Sequence, residues 1–322
     1  MHLLLSYLST NFSQLSDHWQ KHSVLISQGK RGSDKPFVKE LGGRLEIINW
    51  STKEIAWAMP MNSPAGVYQL SPELLMVNSL RLGVINVVSL SDKTVVSSIG
   101  NPAFNKPHSL INTKSGFMVS STGVDAIVEV NDQGSTLYSF FLTQNGYEFD
   151  QIGRKRLINV NANHQGVEYP SLHQTTHINY ARYLDQAETK IVATLFHPGE
   201  LVLIDKPSGH IKVIMTGLKN PHNLKPARDK QILCNTSANT IMILNQEFKV
   251  VDQIGEGLGL SWIQDAVYCK EHDTIIVADA DNHRLLELSW KGTVVDEYLF
   301  SKDNRIYEVC ELANITRLPG GH

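Results

Sequence analysis

The chain is short of several things that would have settled its function quickly. It has 3 cysteines in 322 residues. Cys234, Cys269 and Cys310 are odd in number, form no CxxC pair and lie in apolar runs. This excludes a disulfide scaffold and a cysteine-rich zinc module, and reads as buried reduced thiols in a reducing, cytoplasmic setting. No apolar run is long enough to cross a bilayer, and "MHLLLSYLST" at the start is apolar for only a few residues with no Lys or Arg before it. Neither a signal peptide nor a membrane span is expected. There is no basic tract, and the formal net charge is -3, so no nucleic-acid or anionic-membrane footprint is expected. A P-loop, a GxGxxG after a strand, a GxSxG elbow and an HExxH helix are all missing.

What is present is a repeat. Residues 107–142 read "PHSLINT", "GFMVSST", "DAIVEVN" and "STLYSFFL", and residues 221–254 read "PHNLKPA", "QILCNTS", "NTIMILN" and "FKVVDQI". The same four-part grammar fits 65–99, 176–216 and 264–300. Each part has strand length, is rich in Val, Ile and Leu, and is bounded by turn residues. A sixth unit is divided between the termini. "SVLISQG", "RLEIINW" and "EIAWAM" within 23–59 supply three strands, and "RIYEVCELANITR" at 305–317 supplies the first. Four-stranded units about every 43 residues predict an all-β fold, a β-propeller that leaves few free edges. The count is six blades in one domain over 1–322, closed by pairing of N- and C-terminal strands. Seven blades is the alternative, if residues 1–21 add an element; that stretch reads as a strand plus a short helix.

"DADNHRLLEL" at 279–288 resembles the NHL repeat, and "PHSL" followed by "GFMVSSTGVDAIVEV" resembles blades of NHL-repeat and regucalcin/gluconolactonase-like propellers. The resemblance implies a central channel that holds a metal. In regucalcin-like proteins the ligands are acidic and amide side chains of first strands, which Asp265 and Glu308 match in register. In the NHL-type amidating lyases, zinc is held by three central histidines from alternate blades, whereas the histidines here come from consecutive units.

Spacing supplies a channel reading independently. His177 to His222 is 45 residues, and His222 to Asp265 and Asp265 to Glu308 are 43 each. One position at the entry of each innermost strand is thus expected to hold Gly66, His108, His177, His222, Asp265 and Glu308. Imidazoles and carboxylates converging on one axis suit a divalent transition metal, zinc, iron or manganese ahead of calcium, with a position left for water or substrate. The expected metal ligands are His108, His177, His222, Asp265 and Glu308, with Asp265, Glu308 and Arg81 as catalytic candidates.

Residues 143–175 interrupt the economical repeat and are expected to form a lid beside the channel. Arg154, Arg156, Tyr147 and Tyr169 on the lid, and His197 on the rim, are candidate substrate contacts. Other rim candidates are Lys30, Arg31 and His283, the last expected to pack between strands. Trp50, Trp57, Trp262 and Trp290 are expected to pack between blades. The favoured function is a metal-dependent hydrolase of lactones or esters, or a lyase, acting on a small polar substrate. The alternative is a non-catalytic propeller that binds a ligand or protein partner around a structural ion.

Overall fold

The computed structural model describes residues 1–17, 20 and 41–313. They form six four-stranded antiparallel sheets arranged as the blades of one propeller. Blade 1 is β24 (Arg305–Leu312), β1 (His2–Ser9), β2 (Arg44–Asn49) and β3 (Ile55–Pro60), in that order from the centre. Blade 2 runs from β4 (Pro64–Gln69) through β5 (Leu74–Ser79) and β6 (Val84–Ser89) to β7 (Thr94–Gly100). Blade 3 begins with β8 (Pro107–Asn112), β9 (Phe117–Ser121), β10 (Ala126–Val130) and β11 (Thr136–Phe141). Blade 4 is β12 (Ile178–Tyr183), β13 (Lys190–Leu195), β14 (Glu200–Asp205) and β15 (Ile211–Met215). Blade 5 is β16 (Pro221–Ala227), β17 (Lys230–Asn235), β18 (Thr240–Leu244) and β19 (Val250–Ile254). Blade 6 is β20 (Ile263–Cys269), β21 (Thr274–Asp279), β22 (Arg284–Leu288) and β23 (Val294–Leu299).

The ring closes as expected, but with a different strand. β24 pairs with β1, Leu4 opposite Cys310 and Leu5 opposite Val309, and β1 pairs with β2. "HLLLSYLS" therefore takes the place expected for "SVLISQG", which lies outside the described residues. The run of Leu3, Leu4 and Leu5 is buried on both faces, so it lacks the alternation that marks a half-exposed strand. A helical turn over 12–17 follows it.

The core is divided into wedges, one between each pair of neighbouring blades. Leu3, Leu5 and Trp50 of blade 1 meet Ile276 and Leu285 of blade 6, and Leu4, Ile47 and Trp57 meet Val67 and Val77 of blade 2. The remaining four seams follow the same plan. Second and third strands are almost wholly buried, because both of their faces touch neighbouring blades. The outer strands β7 and β19 are largely exposed. Among the described residues, a repeated hydrogen bond links blades at five of the six seams, all but that from blade 6 to blade 1. Ser6, Asn78, Thr122, Thr194 and Thr236, near the ends of second strands, donate to the carbonyls of Ala65, His108, Ile178, His222 and Ile263. This is the structural use of the polar residue that closes these second strands in the repeat. Among the described residues, no helix is long and apolar enough to cross a membrane.

Candidate functional site at the channel mouth

The innermost strands share two backbone devices that set the register. Ser63, Lys106, His177, Asn220 and Trp262 have positive φ and immediately precede β4, β8, β12, β16 and β20. One or two residues further on, every first strand carries a bulge against its neighbour, and β24 carries one at Tyr307. Bulges re-aim side chains. Aligned this way, Ala65, His108, Asn179, His222, Gln264 and Tyr307 share one position of the first strand. The register inferred from spacing is therefore corrected. His177 occupies the turn position of Lys106 and Trp262, while Gly66, Asp265 and Glu308 lie one residue deeper than His108 and His222. Gly66 has its own reason to be glycine, since a Cβ there would lie 2.3 Å from the carbonyl oxygen of His108.

Despite the mixed register, His108 and His177 meet, and His222 lies across Phe196 from them; the ring nitrogens of the three do not all fall within 4.8 Å of one another. The His108 and His177 ring centres are 5.2 Å apart. Phe196, from the turn after β13, stands between His177 and His222 at 4.8 and 5.3 Å. Trp262 continues the band 5.8 Å from His222, Arg305 lies over Trp262 at 5.6 Å, and Tyr307 returns to His108 at 5.5 Å. The result is a collar of aromatic, imidazole and guanidinium groups that runs from Tyr307 round to Arg305. His197 flanks it, 5.2 Å from His177, with its Nε2 on the Ser171 carbonyl at 2.9 Å.

Each channel imidazole is held by Nδ1. His108 donates to the Lys106 carbonyl at 2.8 Å. His177 donates to Gln174 Oε1 at 2.5 Å, with Ser171 at 3.0 Å. His222 donates to Thr236 Oγ1 at 2.8 Å, because the Thr236 proton is already given to the Ile263 carbonyl. These partners leave the lone pair on Nε2, and none of the three Nε2 atoms is hydrogen-bonded or sealed off among the described residues. Burial pushes His108 down to about 4. Burial and the His108 charge push His222 down to about 3, and burial with its histidine neighbours holds His177 well below the ordinary range. All three are neutral at pH 7.

The carboxylates lie deeper and are committed elsewhere. Lys225 Nζ bridges Asp265 at 2.7 Å and Glu308 at 2.9 Å. Asp265 also accepts from Asn223, Ala266 N–H and Val309 N–H, and Glu308 accepts from Val67 N–H. Burial alone would depress Lys225, but the two carboxylates raise it above the ordinary lysine range. Burial raises Glu308 against the pull of Lys225. This network forms a floor across blades 5, 6, 1 and 2, and the structure does not bring Asp265 or Glu308 in among the imidazoles.

The 143–175 segment folds over the same face. Asn105 donates to the carbonyls of His164 and Val167, Lys106 to that of Tyr169, and Gln165 to that of Gly83. Buried Asp125 accepts from the N–H groups of Thr175, Thr176 and His177 and pairs with Arg156 at 3.1 Å. It thereby sets the His177 ring at the mouth. Arg156, Arg154 and Tyr147 work within the segment and its footing, Arg154 on Asp150 and Tyr147 on Glu200. The Tyr169 hydroxyl meets His164 at 2.9 Å. Arg81 is different. It is half-buried in the β5–β6 turn, near Glu168 and Lys106, and has no hydrogen bond or close ion pair among the described residues. Of the remaining expectations, His283 packs between Phe12 and Phe300. Trp50, Trp57 and Trp290 lie at blade seams, and Trp262 packs against the seam of blades 6 and 1 while its ring also borders the mouth. Lys30 and Arg31 lie outside the described residues.

Phe196, Tyr307 and Lys225 carry no expectation from the sequence, and Trp262 carries only that of packing between blades. An alignment anchored on the entry prolines Pro64, Pro107 and Pro221, rather than on the histidines, would have put Trp262 and Tyr307 in the collar.

No protein-family model and no curated protein matches the chain. Solved structures do. A protein of unknown function from Bacteroides caccae superposes with a TM-score of 0.62 at 16% identity, over 96% of this chain and 97% of that one. A chain of a nidogen/laminin complex gives 0.59 at 10%, over 96% and 97%. Virginiamycin B lyase from Staphylococcus aureus gives 0.50 at 11%, over 75% and 72%. What is shared is the propeller fold. The narrower likeness to NHL-repeat and regucalcin-like proteins is carried by the sequence motifs alone.

Proposed function

We propose that the chain is a metal-dependent enzyme acting on a small polar, anionic substrate at the channel mouth, as a hydrolase of lactones or esters or as a lyase. The observation that carries this reading is the set of three imidazoles whose Nδ1 protons are tied down and whose Nε2 lone pairs are free. Metal-bound histidines are held through their second nitrogen in this way. Imidazoles with such depressed basicity are poor general bases at neutral pH, but they need lose no proton to act as ligands. To hold one ion, His108, His177 and His222 would have to draw closer together than their present spacing. A bound divalent ion supplies Lewis acidity and a more acidic water or hydroxyl.

The chain's own residues do the rest. Arg81, without a close partner among the described residues, offers positive charge to an anionic group of the substrate, beside Lys106, whose own charge is paired with Glu168 at 3.4 Å. Phe196, Trp262 and Tyr307 wall the mouth against water. Tyr307, whose phenol burial holds well above its ordinary range, keeps its proton and offers it as a donor. The distant likeness to virginiamycin B lyase adds a lyase to the reactions worth testing.

A second reading, a propeller that binds a ligand in the same collar without chemistry, is favoured by the saturation of Asp265 and Glu308. A screen of lactones, esters and elimination substrates, with zinc, manganese or iron added, separates the two. The enzyme reading expects turnover that falls by at least ~100-fold in His222→Gln. Ligand binding with no turnover supports the second.

A further inference from the structure

On the face opposite the channel mouth, β20 turns into β21 through residues 270–273. Cys269 is paired with Thr274, and Glu287 on β22 is paired with Ile276. Because alternate strand residues share a face, Cys269, Thr274 and Glu287 project to the same side, toward blade 1. His272 in the turn closes over them. The Cys269 Sγ, a His272 ring nitrogen and a Glu287 oxygen all lie within 4.8 Å of one another, and this is the one such group among the described residues.

We propose that Cys269, His272 and Glu287 form a transition-metal site, suited to zinc, at the seam between blades 6 and 1. Thiolate, imidazole and carboxylate are the donor types zinc takes. Each donor is already oriented by a neighbour. The His272 N–H reaches Cys269 Sγ at 3.4 Å, where it would support a thiolate. Glu287 Oε2 accepts from Trp50 Nε1 at 2.6 Å, and Oε1 from Thr274 Oγ1 at 2.6 Å. His272 Nδ1 stands 2.8 Å from Glu287 Oε1. Such outer partners fix ligand geometry in metal sites. Binding replaces the Cys269 thiol proton and the proton between His272 and Glu287 with the ion, so protons are released to solvent. His272 is exposed and gives the ion a path, while Cys269 and Glu287 are buried. Met1 Sδ, 3.1 Å from Cys269 Sγ, borders the fourth position. Trp50 belongs to the closing blade, so an ion here would brace blade 6 against the blade in which β24 and β1 pair.

Cobalt(II) titration of the untagged full chain tests this without reference to activity. A thiolate-to-cobalt charge-transfer band should reach the intensity of one sulfur-bound ion per chain, be displaced by zinc, and be absent from Cys269→Ser. The same band should persist in His108→Ala/His177→Ala, since an ion held by channel imidazoles gives no sulfur band. Should Cys269→Ser fail to fold, His272→Ala, on the exposed turn, should weaken cobalt at least ~10-fold. No sulfur band in the wild type, a band retained in Cys269→Ser, or unchanged affinity in His272→Ala overturns the proposal.

Discussion

Thr236 Oγ1 stands 2.8 Å from His222 Nδ1 and passes its own proton to the Ile263 carbonyl of the next blade at 2.7 Å. One hydroxyl thus ties two blades together and, with the Asn220 carbonyl 3.2 Å from the same nitrogen, fixes which nitrogen of His222 faces the channel. Thr236→Val keeps the shape and removes both bonds. It should cost about 1–3 kcal/mol in urea unfolding, since a buried donor and acceptor lose their partner. It should also let the His222 ring turn, which a 15N-resolved tautomer measurement would register as mixed Nδ1–H and Nε2–H forms.

Lys225 is the keystone of the channel floor. Lys225→Met leaves Asp265 and Glu308 buried without their cation, and removing one partner of a buried charge network costs about 3–5 kcal/mol. The triple variant Lys225→Met/Asp265→Asn/Glu308→Gln should recover part of that loss, because no uncompensated charge remains. Denaturant midpoints measured for both variants decide it. A Lys225→Met protein as stable as the wild type would mean the floor is open to water.

The channel histidines predict acid sensitivity of a definite sign. Their folded values, about 4 for His108 and about 3 for His222, lie below the unfolded value of roughly 6.5. Between those values the unfolded chain binds more protons, so stability rises with pH. The contribution is fully present above about pH 6.5 and is lost progressively as pH falls toward 4 and then 3. Thermal melts from pH 7 to 4 should show this decline. His108→Gln should flatten it.

Replacing residues 146–170 with a tight turn removes Arg156, the partner of buried Asp125, and should lower stability, but the propeller should still fold, because Asp125 keeps the N–H groups of Thr175, Thr176 and His177 and surface connections tolerate such changes. Lys106 and Asn105 would lose their carbonyl partners in the segment, and substrate binding or turnover should fall. Unchanged kinetics would make the segment a bystander.

Blade number, strand grammar and the joining of the two termini were legible in the sequence, because each blade buries the same strands and so repeats the same apolar runs. The identity of the second strand in blade 1 was not. Leu3, Leu4 and Leu5 are buried on both faces and show no period, while "SVLISQG" mimics one. In the site, the importance of His108, His177 and His222 was visible, but their register was not. A first-strand bulge and a left-handed residue before the strand shift side chains by one or two positions, and spacing alone does not record that. The fate of Asp265 and Glu308 depended on Lys225, a single lysine on β16 whose partners are 40 and 83 residues away in sequence.

The central claim, that the three freed Nε2 atoms make the mouth a metal centre, is tested most directly by metal analysis. The comparison is between untagged Cys269→Ser protein and the same protein carrying His108→Ala/His177→Ala, both loaded with one equivalent of zinc and dialysed. The serine background removes the second proposed site from the count. The account predicts near-stoichiometric zinc in the first and little in the second, with both still folded by circular dichroism. Equal zinc in the two, or none in the first, would contradict it.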